Sequence, residues 1–86
     1  MHNPHNVIEL YPQQLSADFD TFFAMLGFGV NPSGMRRMYY RAALRMNTLS
    51  DGDLAALGLT RAEIPAFVMR HKFPNHAPLR LRQANS

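Results

Sequence analysis

Residues 49–64 read LSDGDLAALGLTRAEI and contain the same helix-start signal twice. In the first copy Ser50 is placed to cap a helix and Asp53 stands at the third helical position, which is the spacing of a capping box. Leu49 and Leu54 flank this box and can contact each other across the first turn as a hydrophobic staple. We therefore predict a short helix that begins directly after Ser50.

The second copy lies ten residues further along the chain. Thr60 takes the capping position, Glu63 completes the box, and Leu59 can contact Ile64. Gly58 lies between the two copies, where a glycine can adopt the left-handed conformation that ends a helix. The segment thus predicts a helix that ends at Gly58 and a new helical start at Thr60.

An aromatic stripe predicts another helix upstream, which runs from a Ser16 cap to about Phe28. Four apolar side chains recur there at helical spacing, namely Phe19, Phe22, Phe23 and Leu26. This pattern is typical of core packing, and the alternative is an exposed surface that docks on another protein. A turn over residues 31–34 separates this helix from the next one.

Residues 35–47 predict a helix with two different faces. Its apolar arc contains Met35, Met38, Tyr39, Ala42 and Met46. Its opposite side carries a row of arginines four residues apart, which are Arg37, Arg41 and Arg45, and Arg36 flanks the apolar arc. No acidic residue lies among the arginines to pair with them along the helix. The row is either a solvated face or a surface for phosphates, with Tyr39 and Tyr40 available to stack on bases.

Proline residues restrict where the helix after Thr60 can begin and end. Pro65 removes one helical hydrogen bond, so either it opens a new helix after a tight 60–64 turn or one helix bends there. The helix then continues to about Lys72, and residues 74–86 are expected to form a basic, weakly ordered tail. We therefore predict an all-α fold, in which a helical hairpin of three to four short helices over residues 16–73 follows an extended arm at residues 1–15.

Size and composition restrict the function. The 86 residues allow one small domain, and the lack of cysteine excludes disulfides, thiolate metal sites and thiol catalysis. The four histidines, His2, His5, His71 and His76, show neither helical i,i+4 spacing nor accompanying carboxylates. No glycine-rich phosphate loop is present. We predict no metal, no cofactor and no enzymatic activity.

The charged side chains are divided unevenly along the chain. Residues 1–31 carry three acidic and no basic side chains, whereas residues 32–86 carry nine basic and three acidic ones, so the two parts have net charges of −3 and +6. Eight of the nine basic residues are arginines, which suit bidentate contacts to phosphate or carboxylate. The asymmetry favours an acidic partner such as nucleic acid, although an ordinary basic surface gives the same count.

No targeting or membrane-spanning segment is expected. The longest apolar run covers residues 22–30, whereas a membrane-spanning helix needs about 20 residues. The first residues lack the basic flank and apolar core of a signal peptide. We expect a cytoplasmic protein.

The arginine-bearing helix followed by the two capping boxes resembles the YjiS-like family of small arginine-rich bacterial proteins over residues 35–73. The likeness is carried by Arg36, Arg37, Arg41 and Arg45, and by the run Leu57-Gly58-Leu59-Thr60-Arg61 with Ile64. The resemblance implies RNA binding or turnover in stress and nutrient responses, and it adds Arg61 to the basic set by position. The chain departs from the family pattern in its more apolar arginine helix and its acidic, aromatic N-terminal third.

Two functions from different classes are favoured over two weaker ones, a DNA-binding helix-turn-helix with residues 61–72 as its recognition helix and binding of the basic helix to a membrane surface. The first is a small regulatory protein that binds RNA through Arg36, Arg37, Tyr40, Arg41, Arg45, Arg61, Arg80 and Arg82. The second is an accessory or adaptor subunit that docks on a larger protein assembly through its methionine-rich faces and through Phe19, Phe22, Phe23 and Leu26. Because so small a chain buries little surface by itself, oligomerisation is a further option.

Overall fold

The computed structural model describes residues 12–27 and 29–84. In it, a helix begins after each of the two capping boxes of the 49–64 segment. Helix α4 spans Asp51–Ala56. The Ser50 hydroxyl accepts a hydrogen bond from the Asp53 N–H at 3.0 Å, and the Asp53 carboxylate accepts one from the Ser50 N–H at 3.4 Å. Gly58 has a φ of +83° and ends this helix as predicted, because the following Leu59 N–H donates back to the Leu54 carbonyl at 2.9 Å.

The second start signal opens a short 3₁₀ helix, Arg61–Glu63, which leads directly into α5, Ile64–Val68. The Glu63 carboxylate accepts a hydrogen bond from the Thr60 N–H at 2.8 Å. Pro65 lies in the first turn of α5, where a missing N–H costs no helical hydrogen bond. This confirms the first of the two alternatives for Pro65. The helix ends four residues before the predicted limit at Lys72, and turns follow.

Helix α1 spans Gln13–Leu26, so it begins earlier than predicted. The predicted cap, Ser16, is wrong: Pro12 occupies the capping position, and the Ser16 N–H donates to the Pro12 carbonyl at 2.9 Å. The expected arm therefore ends before residue 13, and its residues 1–11 lie outside the described part of the chain. Gly27, with a φ of +80°, ends the helix, and the predicted end at Phe28 is likewise outside.

The arginine segment forms two helices instead of the one predicted, α2 at Pro32–Met38 and α3 at Tyr40–Asn47. The helical geometry is interrupted at Tyr39, where φ is −102° and ψ is 11°. Hydrogen bonds still cross this point, from the Tyr39 N–H to the Met35 carbonyl at 3.0 Å and from the Ala43 N–H to the Tyr39 carbonyl at 2.9 Å. The segment is therefore a bent helix whose two halves remain connected.

The C-terminal segment has more order than the predicted tail. A 3₁₀ helix spans Pro74–His76 and helix α6 spans Leu79–Ala84. Ala77 and Pro78, between them, are buried. The segment thus adds a covering layer to the helical domain, although its sequence lacks the apolar periodicity that would have predicted it.

The core lies where α1 and α3 pack against α5, and α1 also packs against the first 3₁₀ helix. Its buried side chains are Leu15, Phe19, Phe22, Phe23, Ala43, Leu54, Leu59, Ile64, Ala66 and Met69. Six α-helices and no strand occur within the described residues, which confirms the all-α prediction. This packing leaves one side of the α2–α3 segment facing solvent.

Candidate nucleic-acid interface

Three arginines of the α2–α3 segment, Arg37, Arg41 and Arg45, are exposed and recur at every fourth residue, and we call them the arginine ridge. Arg41 and Arg45 lie four residues apart on α3, so their side chains are neighbours on the helix surface. Within residues 12–27 and 29–84, no carboxylate forms an ion pair with any of the three. The ridge therefore presents guanidinium groups that have no ion-pair partner in the part of the chain that the structure describes.

The inner side of the same segment explains why the ridge faces outward. Ala43 is fully buried, and Tyr39, Leu44 and Met46 are half-buried against the core. The predicted apolar arc is wrong at two positions, because Met38 has 67% of its surface exposed and Ala42 is also exposed.

Arg36 takes the inner side of α2 and is held by α1. Its Nη1 donates to the Ser16 hydroxyl at 3.2 Å, and its Nη2 forms an ion pair with Asp20. The guanidinium carbon lies 5.6 Å from the Phe23 ring centroid and 6.0 Å from that of Phe19. These contacts cover the aromatic core with a paired cation, so Arg36 ties α2 to α1 and is not part of the ridge.

Arg61 is also held within the chain. Its guanidinium donates to the backbone carbonyls of Asn47 at 3.0 Å and Leu49 at 2.6 Å. Its Nε donates to the Asp51 carboxylate at 3.0 Å. Arg61 therefore fastens the end of α3 and the start of α4 to the second capping turn. Because its donors are used within the chain, we do not count Arg61 among the candidate nucleic-acid contacts.

The remaining predicted contacts are spread over the molecule. Tyr40 is half-buried and packs against the core. Arg80 is exposed on α6, and its aliphatic part passes so close to Gly58 that a Cβ there would lie 2.3 Å from the Arg80 Cδ. The side chain of Arg82 lies outside the described part of the chain. Of the eight predicted side chains, the three of the ridge are exposed on the α2–α3 segment, and Arg41 and Arg45 share helix α3.

The alternative docking surface needs a correction. Phe19 is fully buried, and Phe22 and Phe23 expose only 4% and 6% of their surfaces. Leu26 is half-buried and packs against them. An exposed aromatic surface at these positions is therefore wrong, and the core interpretation of the stripe is the one that the structure confirms.

Residues 12–27 and 29–84 contain no group of three or more His, Asp or Glu side chains arranged to hold a metal ion. None of the helices formed by these residues has the length and apolar character that crossing a bilayer requires.

No protein-family model matches the chain, and comparisons with curated proteins and with solved structures give no match. The resemblance to the YjiS-like family therefore stays a prediction.

Proposed function

We propose that this chain is a small, non-enzymatic regulatory protein that binds RNA through the arginine ridge. The observation that carries the proposal is the contrast among its arginines. Arg36 and Arg61 have carboxylate partners within the chain, whereas Arg37, Arg41 and Arg45 are exposed and have none among the described residues. A row of unpaired guanidinium groups is best compensated by the regularly spaced phosphates of a nucleic acid.

Binding of this kind depends mainly on backbone phosphates. One guanidinium group can donate two parallel hydrogen bonds to the oxygens of one phosphate. Such contacts position the nucleic acid but convey little sequence information. Tyr40 is half-buried, so we assign it an edge contact beside the ridge in place of full stacking on a base. The ridge should accordingly bind single-stranded RNA with low sequence selectivity.

Salt dependence tests this proposal most simply. We would measure the affinity for a fluorescent single-stranded RNA between low and physiological salt by anisotropy. Substitution of all three ridge arginines by glutamine should reduce the slope of log K against log salt by about 0.7–0.9 for each lost phosphate contact. An unchanged slope, or no binding by the unsubstituted protein, would reject the proposal.

A control with matched charge separates the ridge from net charge. Arg41→Gln/Arg45→Gln removes two charges from the ridge, and Arg70→Gln/Lys72→Gln removes two charges after α5, outside the α2–α3 segment. The first pair should reduce affinity and slope, whereas the second should have a small effect. Equal effects would mean that net charge, not the ridge, binds the RNA. DNA of the same sequence then tests whether the 2′-hydroxyls matter.

The adaptor function is the second candidate, but its docking surface would be formed by other side chains than the predicted aromatic ones. Four large hydrophobic side chains are at least half exposed within the described residues: Met25 at 61%, Met38 at 67%, Leu57 at 50% and Leu79 at 56%. Methionine suits adaptable protein interfaces. Affinity purification with and without nuclease distinguishes the candidates, because a stoichiometric protein that survives nuclease treatment favours the adaptor.

A further inference from the structure

A groove separate from the arginine ridge lies between α1, the Arg61–Glu63 turn and the C-terminal segment. Its volume is about 220 Å³, below the roughly 300–1,000 Å³ of a small-molecule pocket. Its size therefore suits one or two protein side chains. Met25 and Leu79, which are 61% and 56% exposed, form part of its wall.

Two of the residues that line the groove are acidic. Asp18 and Glu63 both line it, from α1 and from the 3₁₀ turn. Each carboxylate accepts a hydrogen bond from a neutral group, Asp18 from the Gln14 amide at 3.1 Å and Glu63 from the Thr60 N–H at 2.8 Å. Neither forms an ion pair with a cation among the described residues. The groove lining thus combines apolar side chains with two carboxylates that have no ion-pair partner among the described residues.

The complementary surface occurs on the same chain. Met38 is the most exposed of the large hydrophobic side chains described. The exposed Arg37 and Arg41 lie beside it in the sequence, within the α2–α3 segment. An unbranched, flexible methionine fits irregular apolar cavities. The positive charges of the arginines on either side complement the negative carboxylates that line the groove.

We propose that this groove binds Met38 of a second copy of the chain, with Arg37 and Arg41 of that copy paired to Asp18 and Glu63. The groove has no lining residue from α2 or α3, so donor and acceptor surfaces are different parts of each molecule. One anchor side chain and a small groove make a small interface, and such interfaces are weak. Because the ridge takes part in the contact, RNA and a second copy compete for it.

Sedimentation equilibrium of the full chain, without RNA, measures the association directly. The apparent mass should rise with protein concentration, with a dissociation constant on the order of 100 µM. Met38→Ala should weaken the association about tenfold, since it removes the buried apolar anchor. Leu57→Ala is the matched control, because Leu57 is 50% exposed and lies outside groove and ridge. It should have no effect, and an equal loss would overturn the proposal.

Complementation between two variants tests the pairing of surfaces. Asp18→Asn/Glu63→Gln neutralises the groove while keeping the oxygens that accept the Gln14 and Thr60 hydrogen bonds. Met38→Ala/Arg41→Gln removes the inserting surface. Each variant alone should remain monomeric at concentrations where the unsubstituted chain associates. Their mixture should form a dimer, because each supplies the surface that the other lacks. A mixture that stays monomeric would overturn the proposal.

The test of self-association gives a result that is independent of the test of RNA binding. Self-association is measured without RNA, and the groove variant keeps all three ridge arginines. If that variant loses self-association but binds RNA with unchanged affinity, both proposals are supported. A self-association that is unaltered in the groove variant would overturn this inference alone, whatever the RNA measurement shows.

Discussion

Arg61 provides a sharp test of the division between internal and external arginines. We predict that Arg61→Gln destabilises the fold and leaves the salt dependence of RNA binding unchanged. The side chain joins three points of the chain, the Asn47 carbonyl, the Leu49 carbonyl and the Asp51 carboxylate. Glutamine is too short and has too few donors to hold all three.

The magnitude follows from the exposure of each contact. Hydrogen bonds from a charged donor contribute about 1.5–3 kcal/mol when buried. The Arg61 side chain is 31% exposed, so we assign about 1 kcal/mol to each of the two carbonyl contacts. The Asp51 side chain is 88% exposed, and an ion pair of this kind contributes about 0.5 kcal/mol. The free energy of unfolding should fall by about 2–3 kcal/mol.

Thermal unfolding followed by circular dichroism measures this loss. In a domain of this size, 1 kcal/mol corresponds to about 4–8 °C in Tm, so a decrease of about 8–24 °C is expected. Asp51→Asn is the matched control and should lower Tm by a few degrees at most, because it removes only the exposed pair. An unchanged Tm for Arg61→Gln, or a salt slope of RNA binding reduced by one phosphate contact, would contradict this internal role of Arg61.

Three further predictions concern local structure. Gly58→Ala should destabilise the protein by about 1–2 kcal/mol or more, because φ is +83° and the new Cβ would lie 2.3 Å from the Arg80 Cδ. Gly52→Ala in α4, where the nearest contact of the new Cβ is at 3.8 Å, should instead stabilise it by about 0.5–1 kcal/mol. Equal effects of the two substitutions in urea unfolding would contradict this. Ser50→Ala should cost about 1 kcal/mol by removal of the cap on α4, and Ser50→Gly clearly less, so similar losses for both would argue against the cap. Leu54→Ala, at a fully buried position, should cost about 2–5 kcal/mol in the same assay, and a loss below 1 kcal/mol would show that this side chain is not in the core.

Local signals in the sequence predict much of this fold. The Ser50–Asp53 box, the turn at Gly58 and the helical start at Pro65 depend on residues within one helical turn, and the structure shows all three. The spacing of the aromatic stripe matches one face of a helix, and the core packing that it favours is confirmed.

Contacts between distant residues could not be predicted in this way. Arg36 pairs with Asp20 across 16 positions and Arg61 with Asp51 across 10, and neither distance matches a helical repeat. The composition of the chain therefore does not distinguish one arginine from another. The packing does, because it places Arg36 and Arg61 in contacts with other parts of the same chain. The bend at Tyr39 likewise depends on how α2 and α3 pack, so the exposure of Met38 could not be read from a straight helical projection.

The central claim is that the arginine ridge is the surface where phosphates bind. Nuclear magnetic resonance of the arginine Nε–H groups during titration with a short single-stranded RNA tests it most directly. The signals of Arg37, Arg41 and Arg45 should shift together and saturate, while those of Arg36 and Arg61 stay in place because their partners lie within the chain. Shifts confined to Arg36 and Arg61, or no shift at the ridge while RNA is bound, would contradict the claim.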